Sequence, residues 1–175
     1  MVHRSCRGRT AALVLSTLAA TALLLALAAA AHAGELANRL VGTWRVVRYV
    51  DTDASGKVTY PFGEKPSGYF VYDPTGHLSV QIMRTPARPR FAAGDDAKGT
   101  DAEVRAAYDG YVAYFGIYRV DERRSIVTHV VEGSLNPSYT GTDQPRPFKL
   151  HGDVLVIQAR DDDGTIYFRE LHRVR

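Results

Sequence analysis

The 175-residue chain carries 22 basic and 19 acidic residues, but three of the basic ones, Arg4, Arg7 and Arg9, precede an apolar run at the amino end. Residues 34–175 therefore hold 19 residues of each sign, and the sequence pI of about 9.1 comes from the first 33 residues. A neutral domain without a long basic run lacks the charge that binds nucleic acid, so we exclude DNA and RNA as partners.

The first 33 residues have the layout of an export signal. A basic head and the apolar segment 11–31 lead to Ala31-His32-Ala33, with small residues where signal peptidase requires them. We expect cleavage after Ala33, export to the periplasm or the medium, and no membrane span afterwards. The alternative is a retained anchor, since about 20 apolar residues can span a bilayer. The only cysteine, Cys6, precedes the cleavage site, so residues 34–175 are expected to form one domain without disulfides.

The rest of the chain is predicted to consist mainly of strands joined by short turns. The clearest hairpin surrounds the turn Asp73-Pro74-Thr75-Gly76. We predict eight strands, at 40–50, 69–72, 78–83, 114–120, 126–133, 148–150, 154–160 and 165–174. This order predicts an all-β, eight-stranded antiparallel up-and-down barrel. A sandwich is the alternative, and because several strands are apolar on both faces, the pattern does not fix which face points inward.

One helix is predicted between the third and fourth strands, after the proline-rich linker 84–99. Thr100 and Glu103 form a capping box at its start, and Gly110 weakens it and marks a possible end. Its apolar residues follow helical spacing: Val104, Ala107, Tyr108, Tyr111, Val112 and Phe115. This stripe predicts a buried face, either against a flank of the sheet or as a lid across the barrel.

Gly42-Thr43-Trp44 resembles the G-x-W signature that opens the first strand of lipocalins and the wider calycin group. The series VGTWRVV, YPFGEKPSGYFVYDPTGHLSVQIM, RPRFAAGD, GYVAYFGIYRVDE, IVTHVVEGSL and GTDQPRPF resembles a bacterial lipocalin-like domain family of largely uncharacterised proteins. The resemblance covers about residues 38–174 and implies a calycin-type barrel, with no established reaction or ligand. It also implies structural closure of the barrel by Gly42, Trp44 and an arginine of the last strand that stacks on the tryptophan. Arg173 is the predicted arginine, with Arg169 and Arg175 as alternatives.

His129 lies in mid-strand between valines, where an imidazole would suit acid–base chemistry. A core histidine with one hydrogen bond is the commoner arrangement. Glu132 belongs to the opposite strand face, so the two pair only if Gly133 marks a bulge. If the protein is an enzyme, His129 and Arg146 are the predicted catalytic residues. The histidine and cysteine spacings match no metal motif, so we predict neither a metal nor a cofactor.

The segment 132–148, EGSLNPSYTGTDQPRPF, is longer than a hairpin needs and contains three prolines. We predict that Asn136, Asp143, Gln144 and Arg146 form a polar rim at one end of the barrel. The alternative is that they hydrogen-bond within the loop and that Arg146 pairs with an acid.

Ten tyrosines suit the wall of a cavity for a mostly apolar ligand, although the same side chains could fill the core. The predicted ligand-binding residues are Arg48, Gln81, Met83, Tyr114, Tyr118, His129, Asn136, Gln144 and Arg146. The sequence thus predicts an exported barrel whose partner is a small apolar or amphipathic ligand. A cofactor-free isomerase or cyclase and a filled barrel with a structural or inhibitory role are the alternatives, and the oligomeric state is not predicted.

Overall fold

The computed structural model describes residues 34–175, and the predicted signal segment lies outside them. In this part of the chain nine strands form one antiparallel sheet. Helix α1 (Glu35–Leu40) precedes the strands, helix α2 (Asp101–Asp109) interrupts them, and short 3-10 helices occupy Asp96–Lys98 and Pro137–Tyr139. The strands are β1 (Gly42–Thr52), β2 (Val58–Thr59), β3 (Ser67–Tyr72), β4 (His77–Met83), β5 (Tyr111–Asp121), β6 (Ile126–Ser134), β7 (Asp143–His151), β8 (Val154–Arg160) and β9 (Ile166–Arg173).

The sheet closes because β1 pairs with β3 on one side and with β9 on the other. From β3 to β9 each strand pairs with the next one along the chain, so the eight long strands make an up-and-down barrel. The predicted closed antiparallel barrel is confirmed. The extra strand β2 pairs only with Asp51 and Thr52 at the end of β1. Two residues leave no periodicity in a sequence, which is why β2 escaped prediction.

The predicted position and extent of the helix need correction. Helix α2 lies between β4 and β5, not between the third and fourth strands, because β2 adds a strand before it. The capping box at Thr100 and Glu103 is present, but the helix ends at Asp109. Strand β5 begins at Tyr111, so the last three residues of the predicted helical stripe, Tyr111, Val112 and Phe115, belong to a strand. No residue of α2 is buried, so the expected burial of a helical stripe is wrong.

Two β-bulges change which side chains face the interior. The register of β1 against β9 shifts between Val46 and Arg48, so Val47 is an extra residue. Trp44 and Val46 are buried ahead of the bulge, and Arg48 is exposed beyond it. In β6 the extra residue is Glu132, which is also exposed.

Trp44 occupies the base of the barrel and is fully buried. Its indole Nε1 donates to the Leu40 carbonyl at 2.8 Å, and the Arg173 guanidinium carbon lies 4.1 Å from its ring centroid. Arg173 also donates to the backbone carbonyls of Val41, at 2.7 Å, and Arg39. A Cβ at position 42 would lie 2.6 Å from the Arg173 guanidinium, and the φ of Gly42 is +137°. Glycine is therefore needed at this position for both space and backbone conformation.

Replacing Arg173 with alanine should destabilise the barrel by roughly 2–4 kcal/mol, because a cation–π contact and charge-assisted hydrogen bonds are lost together. Urea unfolding followed by tryptophan fluorescence measures the change. Arg175→Ala is the matched control, because both Arg173 and Arg175 form an ion pair with Asp153. The Arg175 side chain is 86% exposed, so little change in stability is expected. Equal effects of the two substitutions would contradict the role of Arg173 in closure.

Candidate functional site

The barrel interior contains a cavity of about 420 Å³ that is partly open to solvent. This volume falls within the range of roughly 300–1,000 Å³ found for small-molecule sites. Its apolar walls come from Phe62, in the turn between β2 and β3, and from strand residues: Phe70, Val80, Ile82, Val112 and Ile157. Four tyrosines also line it: Tyr49, Tyr114, Tyr139 and Tyr167. The principal polar lining residues are Asp51, Asn136, Gln144, Arg146, Asp161 and Arg169.

His129 of β6 is fully buried behind this wall and has a tyrosine hydroxyl on each ring nitrogen. The Tyr72 hydroxyl of β3 lies 2.8 Å from Nε2, and the Tyr114 hydroxyl of β5 lies 2.9 Å from Nδ1. Tyr72 is also fully buried, whereas Tyr114 reaches the cavity. These hydrogen bonds join three strands across the interior and satisfy both nitrogens of the imidazole.

Burial determines the protonation states in this cluster. Removal from water, reinforced by the nearby Arg146 guanidinium, lowers the pKa of His129 from 6.5 to about 3, so the imidazole is neutral at pH 7. Burial likewise raises the pKa of Tyr72 and of Tyr114, and both hydroxyls remain protonated. The cluster is therefore a network of neutral hydrogen-bonding groups at neutral pH.

Arg146 supplies a cation beside this network. Its guanidinium donates to Gln144 Oε1 at 3.1 Å, and the Gln144 amide donates to Thr142 Oγ1 at 2.8 Å. Within residues 34–175 no carboxylate forms an ion pair with Arg146. The expected alternative, in which Arg146 pairs with an acid, is thus not observed in this part of the chain.

A second arginine at the cavity, Arg169, forms an ion pair with Asp51. It donates to Asp51 Oδ1 and to the Val50 carbonyl, both at 2.7 Å, and its guanidinium carbon lies 3.3 Å from the centroid of the Tyr49 ring. The Tyr49 ring contacts Phe62 edge to face at 4.9 Å. Nearby, a hydrogen bond to Asp161 raises the pKa of Tyr167 to about 12. Paired charges and packed rings make this part of the wall rigid.

The long segment 132–148 contributes to the cavity differently from what its composition suggested. Strand β6 continues to Ser134 and β7 begins at Asp143, so only residues 135–142 lie between the strands. Asn136 caps the 3-10 helix by accepting from the Ser138 amide. Gln144 and Arg146 are consequently held on a strand and not on a loop.

Strand β7 pairs with β8 only from Phe148 onward. Pro145 and Pro147 precede this point and have no amide hydrogen to offer to a neighbouring strand. Ala159 lies opposite these prolines, on the part of β8 that does not pair with β7. It borders both the cavity and a groove next to the cavity. The barrel wall is thus thinnest between residues 143–147 of β7 and residues 158–160 of β8, which do not pair with each other.

The structure places four of the predicted ligand-binding residues on the cavity: Tyr114, Asn136, Gln144 and Arg146. His129 lies directly behind the wall, bonded to Tyr114. Asp143, predicted for the polar rim, is exposed and lies 3.8 Å from Arg119.

Four other predicted residues do not line the cavity. The bulge at Val47 turns Arg48 outward, where its guanidinium covers the Phe168 ring at 5.4 Å. Gln81 and Met83 are on the exposed face of β4. The Tyr118 hydroxyl donates to the Asp73 carbonyl at 2.9 Å. Glu132 is exposed in its bulge, and both nitrogens of His129 are already bonded, so the His129–Glu132 pair is absent.

Sequence reasoning did not assign Tyr72, Tyr49 or Asp51 to the site, and it considered Arg169 only for closure of the barrel base. Only the strand register brings these residues to the interior, and no local motif marks them. The high tyrosine content was the one available signal. Among residues 34–175, no group of three or more His, Cys, Asp or Glu side chains is placed to hold a metal ion. The same range has no helix with the length and apolarity required to cross a bilayer.

A closed antiparallel barrel with an interior cavity and a tryptophan–arginine base defines a lipocalin-like protein. The chain matches the model of the Lipocalin-like domain family over residues 41–166, and it belongs to that family. It is also similar to the 4'-hydroxy-3'-methoxypropiophenone carrier protein ppsC of Aspergillus oryzae (strain ATCC 42149 / RIB 40). The two are 36% identical over 111 residues, which cover 55% of this chain and 99% of the fungal protein.

The family resemblance is therefore confirmed. The narrower expectation of a bacterial, largely uncharacterised family is not confirmed, because this relative is fungal and has a named carrier role. Among solved structures, a redesigned β barrel aligns with a TM-score of 0.41 at 15% identity, covering 79% of this chain and 95% of that one. A de novo designed fluorescence-activating β barrel aligns with a TM-score of 0.39 at 12% identity, covering 78% and 95%.

The low pKa of His129 predicts a specific loss of stability in mild acid. The unfolded chain binds a proton at this residue near pH 6.5, while the folded chain does so only near pH 3. Stability from this group is therefore complete above about pH 6.5 and falls by about 1.4 kcal/mol per pH unit as the pH drops toward 3. The two tyrosines that face the imidazole, Tyr72 and Tyr114, have raised pKa values and stay protonated over this range.

Urea unfolding at pH 7, 6 and 5 measures this slope. His129→Gln keeps a donor and an acceptor but cannot titrate, so its stability should fall less steeply between pH 6 and 5 than that of the wild type. Parallel profiles for the two proteins would show that His129 is not held neutral.

Proposed function

We propose that this protein is an exported carrier that holds a small, mostly apolar molecule inside its barrel. The observation that carries the proposal is the cavity itself: about 420 Å³, with apolar and aromatic walls and a cation, Arg146, that has no carboxylate partner within residues 34–175. A site of this composition suits a ligand with a hydrophobic body and at least one polar atom. The carrier role named for the fungal relative supports the same function.

The thin wall between β7 and β8 is the proposed route by which the ligand reaches the cavity. Proline at positions 145 and 147 removes amide hydrogens that would otherwise be available for pairing. Residues 143–147 of β7 can separate from residues 158–160 of β8 without breaking a backbone hydrogen bond of the β7–β8 pairing, because that pairing begins at Phe148.

The site does not favour the alternative of an acid–base enzyme. General acid–base catalysis works best with a group whose pKa is near the working pH. Burial moves the pKa of His129 down to about 3 and that of Tyr114 upward, so each is displaced away from neutrality. These shifts suit binding of a ligand by neutral groups.

The purified protein should bind 4'-hydroxy-3'-methoxypropiophenone saturably, with one site per chain, in isothermal titration calorimetry. Val112→Trp places a large ring in the cavity and should weaken binding at least roughly tenfold, because interior space is lost. Val104→Trp makes the same change on α2, where Val104 is 51% exposed, and should leave binding unchanged.

Two results would contradict the carrier proposal. One is a wild-type protein that binds neither this ketone nor a fluorescent apolar dye. The other is binding that both tryptophan variants weaken equally, since the ligand would then not occupy the cavity.

Export predicts a mature chain that begins at Gly34. Intact-mass spectrometry of the protein secreted or released from the periplasm of its host should give the mass of residues 34–175. A chain that retains Met1 and sediments with membranes would instead support the anchor reading.

A further inference from the structure

The direction of the hydrogen bonds around His129 follows from the burial of Tyr72. Tyr72 is fully buried, and within residues 34–175 the only hydrogen-bond partner of its hydroxyl is His129 Nε2, at 2.8 Å. If Nε2 carried the imidazole hydrogen, the Tyr72 hydroxyl would accept, and its own hydrogen would be buried without an acceptor. A buried unpaired donor is strongly unfavourable. The Tyr72 hydroxyl therefore donates to Nε2.

A neutral imidazole carries one hydrogen, on one of its two nitrogens. Since Nε2 accepts from Tyr72, the hydrogen is on Nδ1, which donates to the Tyr114 oxygen at 2.9 Å. The Tyr114 oxygen thus acts as the acceptor of this bond. The Tyr114 hydroxyl hydrogen therefore cannot be donated to His129 and needs a different acceptor.

The cavity is where that hydrogen can find an acceptor. Tyr114 lines the cavity, and within residues 34–175 its hydroxyl has no acceptor other than the nitrogen already protonated. Arg146, which lines the same cavity, offers only N–H donors. The nearby Gln144 oxygen already accepts from Arg146. Arg146 also hydrogen-bonds the Tyr114 side chain. The Tyr114 hydroxyl hydrogen and the N–H groups of Arg146 that Gln144 and Tyr114 do not engage therefore have no acceptor among the hydrogen bonds of the described residues.

We propose that Tyr114 and Arg146 together bind the carbonyl oxygen of an aromatic ketone or aldehyde, with Tyr72 and His129 as positioning residues that direct the Tyr114 hydroxyl hydrogen into the cavity. This inference rests on the proposed function and specifies its ligand class. A carbonyl oxygen has two lone pairs, which match two donors. The rings of Tyr49, Phe62 and Phe70 form flat walls suited to an aromatic body.

Propiophenone and propylbenzene provide a direct test, because they differ only in the carbonyl group. Calorimetric titration of the wild-type protein should give at least roughly tenfold tighter binding of propiophenone. Tyr114→Phe should remove most of this preference and change the affinity for propylbenzene by less than about twofold. Tyr139→Phe removes a hydroxyl from the same cavity that is not bonded to His129, so it should keep the preference.

The outcomes separate this inference from the carrier function. If the wild type binds both compounds equally, or if Tyr114→Phe retains the preference, the carbonyl site is wrong and the carrier function stands. If propylbenzene binds and propiophenone does not, the carbonyl site is wrong as well. If neither compound binds, the carbonyl site is wrong, and the dye titration then decides the carrier function separately.

The positioning role has its own measurement. Long-range ¹H–¹⁵N spectra of the wild-type protein at pH 7 should show His129 protonated at Nδ1; protonation at Nε2 would overturn the argument. Tyr72→Phe leaves Nε2 without a partner in either tautomer, so the imidazole hydrogen is no longer fixed on Nδ1 and Tyr114 can donate to Nδ1 in part of the molecules. This variant should lose part of the preference for propiophenone, although Tyr72 is not among the residues that line the cavity.

Discussion

The pairing of β1 with β9 is the constraint on which the rest of the molecule depends. It runs from Trp44 opposite Arg173 to Thr52 opposite Ile166, and it removes the two long edges that an open eight-stranded sheet would expose. One end of this pairing holds the tryptophan base; Asp51 and Arg169, farther along the same strands, border the cavity. With a rise of about 3.3 Å per residue, Asp51 lies roughly 20 Å from Trp44 along β1. The closed base and the ligand cavity are thus separate regions of one pair of strands.

Stability and the proposed ligand recognition depend on the same hydrogen bonds in the interior. His129 connects β3, β5 and β6 through two tyrosines, and burial keeps all three groups neutral. Because a neutral network has a definite direction, the requirement to satisfy Tyr72 in the core determines what Tyr114 presents to the cavity. Arg169 differs, since its Nη1 is paired with the Asp51 carboxylate and with backbone carbonyls. Of the two arginines at the cavity, only Arg146 remains without a carboxylate in the described range.

Short-range patterns explain what could be predicted. Turn residues such as Asp73-Pro74-Thr75-Gly76 act locally, so the hairpins and the order of the strands could be predicted from the sequence. Gln144 and Arg146 were predicted as site residues because they lie in a segment that is longer than a hairpin requires. Arg48 was wrongly placed because the bulge at Val47 reverses the alternation of side chains. The helix was extended past Asp109 because residues 111–115 fit a helical period and a strand period equally well.

The role of the glycine–tryptophan pair at the base was implied by the family resemblance. By itself, the sequence determined the number and order of the long strands and most of the turns between them. These depend on neighbours a few residues apart, where propensity and turn geometry act directly. Only the tertiary structure decided which strand faces point inward and which side chains meet there. Tyr72 and His129 are 57 residues apart, and their contact exists only once the barrel has its register. A one-residue change in register would turn either side chain to the opposite face, and local sequence patterns do not encode that choice.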